Sequence, residues 1–178
     1  MSVRITRSVA SLLLVCLSAC NRSDQDNKKG IVPDSNKPFV FIYHSSAYPL
    51  PDKPLESGVV AAVWNDGTVI RASAGKPLGT SYVKGKWEQS GVVNLRRAIE
   101  ESGLLSNEKP SALVVDAASE HLILRTDDHL NSWAHSPAHG ENPKITHIKN
   151  LMLGWPLIKQ SILTNHSQYA GYPHAWYE

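Results

Sequence analysis

The densest reactive chemistry in the sequence lies between residues 127 and 141, where Asp127, Asp128, His129, His135, His139 and Glu141 fall close together. Imidazoles and carboxylates are the usual ligands of transition metals, and a folded loop could draw His129, His135 and His139 around one ion with Asp128 beside them. Hydrolysis can also be drawn from the residue types present, with Ser132 or Ser45 as nucleophile, one of the eight histidines as base, and Asp127 or Asp66 holding the imidazole. Sets of this kind arise by chance in any chain of this length, because a triad is defined by geometry rather than by residue types. The plainer expectation is a short strand through His129, Asn131 and Trp133, then a solvated loop through Ser136-Pro137 and His139-Gly140. On that expectation the sequence assigns no catalytic residue, no metal ligand and no cofactor. A metal-binding protein or hydrolase built on the 127–141 loop is the competing reading. His44, directly after an apolar run, reads as a strand-end residue rather than a base.

No nucleophile elbow, phosphate-binding glycine loop, dinucleotide fingerprint or H-E-x-x-H stretch occurs. Four aromatic residues fall beside or beyond the periodic segments instead: Tyr48 in a proline-bearing loop, Trp64 at a turn, and Tyr172 and Trp176 near the C-terminus. Aromatic side chains bury large area at low entropic cost, so these four are candidates for an interface with another protein. The alternative is that Tyr172 and Trp176 fold back over the sheet.

The N-terminus carries Arg4 and Arg7, an apolar run from Val9 to Leu17, and then small residues, the layout of an export signal. The run is too short to span a bilayer, which takes roughly 20 apolar residues. Leu17-Ser18-Ala19-Cys20 resembles the lipobox of bacterial lipoproteins. That resemblance, which covers only the first 20 residues, implies cleavage before Cys20 and lipidation of its sulfur. With about 0.8 kcal/mol per buried methylene, two or three acyl chains would anchor the protein stably to a membrane. Asn21 after the cysteine resembles the class sent to the outer membrane, facing the periplasm, where the envelope has two membranes.

Removal of residues 1–19 would leave 16 basic residues against 16 acidic ones, a balance that does not call for nucleic acid. Cys16 would leave with the signal and Cys20 would be lipidated, so the expected mature chain holds no disulfide. Residues 20–37 are polar and read as a lipidated cysteine and flexible tether. At about 5–6 Å × √n, such a tether keeps the folded part within a few tens of ångströms of the membrane.

Residues 38–178 are expected to form a single α+β domain, large enough to stand on its own core. Phe39-Val40-Phe41-Ile42-Tyr43 reads as a buried strand. Val59–Trp64 and Thr68–Arg71 flank Asn65-Asp66-Gly67, where Gly supplies the positive φ of a hairpin turn. Ser90–Ser102 is helical, with Val92, Leu95 and Ile99 on one face and Gly103 closing it. A second hairpin is expected from Ala112–Val115 to Leu122–Arg125. A final helical region is expected over about 145–164, with Ile145, Ile148, Leu151, Met152, Trp155 and Ile162 on one side and a break at Pro156. The expected architecture is an antiparallel sheet of two hairpins and an N-terminal strand, with two amphipathic helices on one face. The repeated order of hairpin, connector and helix suggests a duplicated ββα unit. With this fold and address, the expected role is a membrane-anchored envelope module for binding, assembly or inhibition.

Overall fold

A computed structural model describes residues 36–46, 57–73, 81–107, 118–126, 130–136, 141–163 and 176. In chain order these form β1 (Val40–Ser45), β2 (Gly58–Val63), β3 (Thr68–Ala72), β4 (Tyr82–Lys86), α1 (Gln89–Ser102) and α2 (Leu104–Asn107). Then follow β5 (Ser119–Arg125), β6 (Leu130–His135), α3 (Pro143–Gly154) and β7 (Lys159–Leu163). The fold is mixed α+β: one seven-stranded antiparallel sheet in the order β6-β5-β1-β2-β3-β4-β7, with three helices. No helix among the described residues is long and apolar enough to cross a membrane.

The near-continuous apolar runs of Val40–Tyr43 in β1 and of β2 place these strands near the sheet centre, where both faces are covered. One face packs on the helices, joining Val40, Ile42, Val63, Leu122, Leu124 and Trp133 to Val92, Leu95 and Ile99 of α1 and Ile145, Ile148 and Met152 of α3. The other gathers Phe41, Tyr43, Val59, Ala62, Ile70, Tyr82 and Ile123, with Trp176 against them. The register shifts between Ile42 and Tyr43, which pair with Ala61 and Val59, so Val60 is an extra residue in β2. This bulge puts Val60 and Ala61 together on the helix side while Val59 and Ala62 stay on the other, which sharpens the local twist.

The turn between β2 and β3 forms where Asp66-Gly67 directs it. Gly67 takes φ 83°, its N–H donates to the Trp64 carbonyl at 3.0 Å, and the Asp66 carboxylate accepts from the Thr68 N–H and hydroxyl, both at 2.9 Å. Helix α1 buries Val92, Leu95 and Ile99 and ends on left-handed Gly103, with Leu104 sealed beneath it.

Several elements differ from the sequence expectation. Leu122–Arg125 lies in β5, which pairs with β1 on one side and with Leu130–His135 on the other, so that hairpin closes forward rather than back. Residues 112–115 fall outside the described residues. Helix α3 begins at Pro143 behind Asn142, whose side chain accepts from the Lys144 N–H at 3.0 Å, and it stops at Gly154. Beyond Pro156 the chain becomes a strand, not a second helix, and Ile162 stands exposed rather than on a buried helical face. Strand β4 carries Lys84, Gly85 and Lys86, too polar and short to register as a strand by pattern.

The geometry of the two hairpins also bears on duplication. Strands β2 and β5 flank β1 and run the same way, while β3 and β6 lie outside them on opposite sides. Both α1 and α3 cover the same face. Turning one hairpin onto the other about the strand direction would carry its helix to the opposite face. The two units are therefore of opposite hand, whereas copies of one chiral unit keep one hand.

Candidate functional site

The polar chemistry of the described residues collects at one end of the sheet, where β1 finishes, β5 begins and β6 finishes. Strand alternation sorts it onto two faces. On the helix side, His44, Glu120 and His135 stand in register across β1, β5 and β6. Lys149 of α3 reaches the Glu120 carboxylate at 2.5 Å, and His135 Nε2 lies 3.8 Å from its other oxygen. This arrangement neutralises a carboxylate that is largely removed from water, and it fastens α3 to the sheet.

On the opposite side, Ser45 and Ser119 face each other with their hydroxyl oxygens 3.1 Å apart. His121 Nε2 lies 2.7 Å from Ser119 Oγ and 3.5 Å from Ser45 Oγ. Burial, with His135 and His44 nearby, lowers the His121 pKa from 6.5 to about 4, so the imidazole is neutral at ordinary pH. A neutral imidazole within hydrogen-bond reach of a serine hydroxyl has the geometry of a base and its nucleophile. Access decides against that use: His121 is 0 % exposed, Ser119 4 % and Ser45 6 %. An incoming carbonyl must come within about 3 Å of the nucleophile, and both hydroxyls are shut off from solvent. Among the described residues no carboxylate meets His121 Nδ1. The trio instead ties β1 to β5, since a one-residue slip would separate Ser45 from Ser119.

Of the residues singled out from sequence, Ser45 does meet a histidine, though that histidine is His121. Ser132 sits on β6 opposite Ile123, away from His121's partner Ala134. Asp66 serves the β2–β3 turn beyond the start of β1, with Lys86 3.3 Å away, so it orients no imidazole at the far end of that strand. His135 joins Glu120, and no group of three or more metal-ligating side chains forms among the described residues. Asp127, Asp128, His129 and His139 lie outside the described residues, as do Cys20, Tyr48 and Tyr172. Trp64 is buried, and Trp176 packs edge-on against both Trp64 and Phe41 at centroid distances of 5.4 and 5.3 Å. The Arg125 guanidinium donates to the Trp176 carbonyl. These two rings are therefore engaged in covering the second face of the sheet.

Sequence reasoning missed the β7 edge. Among the described residues β7 is the last strand beyond β4, and Lys159, Gln160, Ser161 and Ile162 are all exposed. Ile158 and Ile162 are 58 % and 69 % exposed, more than any other large apolar residue described. The strand is held firmly from its inner side. Five residue pairs join it to β4, the Ile158 N–H donates to the Lys86 carbonyl at 2.8 Å, and Leu157 fills the space over Gly85. A Cβ at Gly85 would stand 2.7 Å from both Leu157 Cδ1 and the Lys159 carbonyl, so Gly is what lets β7 approach. The available signal was the Pro156 stop followed by a short run from Leu157 to Leu163, weak beside the helical period preceding it. No family model, no curated protein and no solved structure matches this chain.

Proposed function

We propose that this chain is a lipid-anchored protein of the bacterial cell envelope whose folded part acts by binding another envelope protein, as an assembly or inhibitory module. The observation that carries the reading is the β7 edge. Proteins ordinarily blunt or cover such edges, because an open row of backbone donors and acceptors beside apolar side chains invites another strand. Here Ile162 stands exposed on a strand braced along its inner side, and Ile158 stands exposed just before it. The sealing of Ser119 and His121 supports the same reading, since the closest nucleophile–base pair in the described residues is out of a substrate's reach. The address rests on the lipobox-like Leu17–Cys20 and on Asn21, which favour an outer-membrane anchor facing the periplasm.

The test is photo-cross-linking in living cells of the full chain, with the photoreactive residue placed at Gln160 and, separately, at Val93 on α1. One partner captured at Gln160, lost or reduced when Cys20→Ala releases the protein from the membrane, is the expected result. Capture of nothing at either position, or a Cys20→Ala protein that stays in the membrane fraction, would remove the reading or its anchor.

A further inference from the structure

The two sides of the β7 edge differ in chemistry, and that difference specifies what it would take. Strand alternation sends Gln160 and Ile162 to the helix side, because Ile162 pairs with Val83 and Val83 with Arg71, whose guanidinium reaches the end of α3, and exposed Ile158 stands at the bend just before the strand. Lys159, Ser161 and Leu163 point the other way, in register with Lys86, Lys84 and Tyr82. One side of the edge therefore carries exposed Ile162 beside Gln160, and the other is basic. Lys86 has Asp66 as its partner, while Lys84 and Lys159 make no ion pair among the described residues. Directly between Lys84 and the open edge lies Ser161, whose small side chain lets the long lysine lie across it.

We propose that the β7 edge receives an extended acidic segment of another protein as an added strand, with apolar residues alternating with Asp or Glu. Its backbone would bond to β7 at the usual strand spacing of about 4.8 Å, and specificity would come from alternate side chains. The apolar residues would cover Ile162 and run over Gln160, and the carboxylates would meet Lys159 directly and Lys84 across Ser161. A second copy of this chain fits the same edge less well. Antiparallel pairing of two β7 strands would gather Lys84 and Lys159 of both copies on one face with no added carboxylate, and like charges across strands oppose pairing.

This rests on reading the folded part as a binding module, and the experiment separates the two. The mature lipidated protein in neutral detergent is titrated with a labelled seven-residue peptide of alternating Glu and Val, beside a peptide of the same composition with its glutamates clustered. The alternating peptide is expected to bind and to slow amide exchange at Lys159–Leu163, and the clustered one to bind at least about tenfold more weakly. Reversing charge with Lys84→Glu and Lys159→Glu, both exposed positions, should switch preference to an alternating Lys and Val peptide. No binding, equal binding of the clustered peptide, protection elsewhere, or an unchanged preference after charge reversal would each overturn the proposal. So would vesicles of anionic phospholipid that bind through the same lysines and displace the peptide, which would make the edge a lipid contact. If cells yield a partner cross-linked only at Val93 while the peptide fails, the binding module stands and the edge falls. If the peptide binds and cells yield no partner, the edge stands and the cellular role falls.

Discussion

Ser119 Oγ and His121 Nε2 lie 2.7 Å apart on one face of β5, with Ser45 of the neighbouring strand completing a polar trio inside an otherwise apolar layer. Its consequence is a dependence of stability on pH. The folded state holds His121 neutral down to about pH 4, while the unfolded chain takes up its proton near 6.5. Between those values the unfolded state binds more protons, so stability falls as pH drops from 6.5 toward 4 and is unaffected by this group above 6.5. The loss is on the order of 3 kcal/mol. Urea unfolding at pH 7 and pH 4.5 should show His121→Gln losing less over that interval than the wild type. Equal losses would mean that other groups carry the acid sensitivity.

Tyr82 imposes the mirror case at high pH. Burial raises its pKa from 10 to about 12, and its hydroxyl donates to the Val59 carbonyl at 2.9 Å across β3. The folded state keeps the proton that the unfolded chain releases near pH 10, so stability falls as pH rises from 10 toward 12. Tyr82→Phe should cost about 1 kcal/mol at neutral pH and unfold less steeply in alkali. Absorbance of the phenolate, followed beside unfolding, checks that Tyr82 ionises only as the structure opens.

At Gly85, a side chain has no room. The Gly85→Ala Cβ would press on Leu157 and on the Lys159 carbonyl, and since the latter is backbone, β7 must move off β4. About 1–3 kcal/mol of overpacking is expected. Amide exchange should quicken at Lys159–Leu163 while β1 and β5 keep their protection. Slow exchange throughout would show that β7 absorbs the shift without loosening.

Removing the Trp176 ring should uncover the second face. Trp176→Ala deletes edge-on contacts with Phe41 and Trp64 and is expected to cost about 2–3 kcal/mol in thermal or urea unfolding. A change below about 0.5 kcal/mol, within the range of an ordinary surface position, would mean that the tail adds little cover.

Much of the central architecture is readable from local pattern. Apolar continuity in Phe39–Tyr43 and Val59–Val63 marks strands buried on both faces, Asp66-Gly67 supplies the one positive φ their turn requires, and Val92, Leu95 and Ile99 announce an amphipathic helix closed by Gly103. These signals are legible because their causes are short-range: strand or helix period, and the steric freedom of glycine. The periphery is less so. Lys84, Gly85 and Lys86 form a strand only because β3 and β7 lie on either side, and the residues after Pro156 become β7 rather than helix because β4 offers them an edge. His121 carries no local signal for the same reason: a histidine two residues from a serine is commonplace until a neighbouring strand brings Ser45 and water is excluded.

By itself the sequence determined the central strands, the β2–β3 turn and the α1 face, all set by residues adjacent or within one period of each other. Only the tertiary structure decided strand order, the partners of β5, the burial of His121 and the exposure of Ile158 and Ile162. Those depend on contacts between residues tens of positions apart. No local period encodes such contacts, because the free energy that selects them comes from burying surfaces that exist only once the chain has folded.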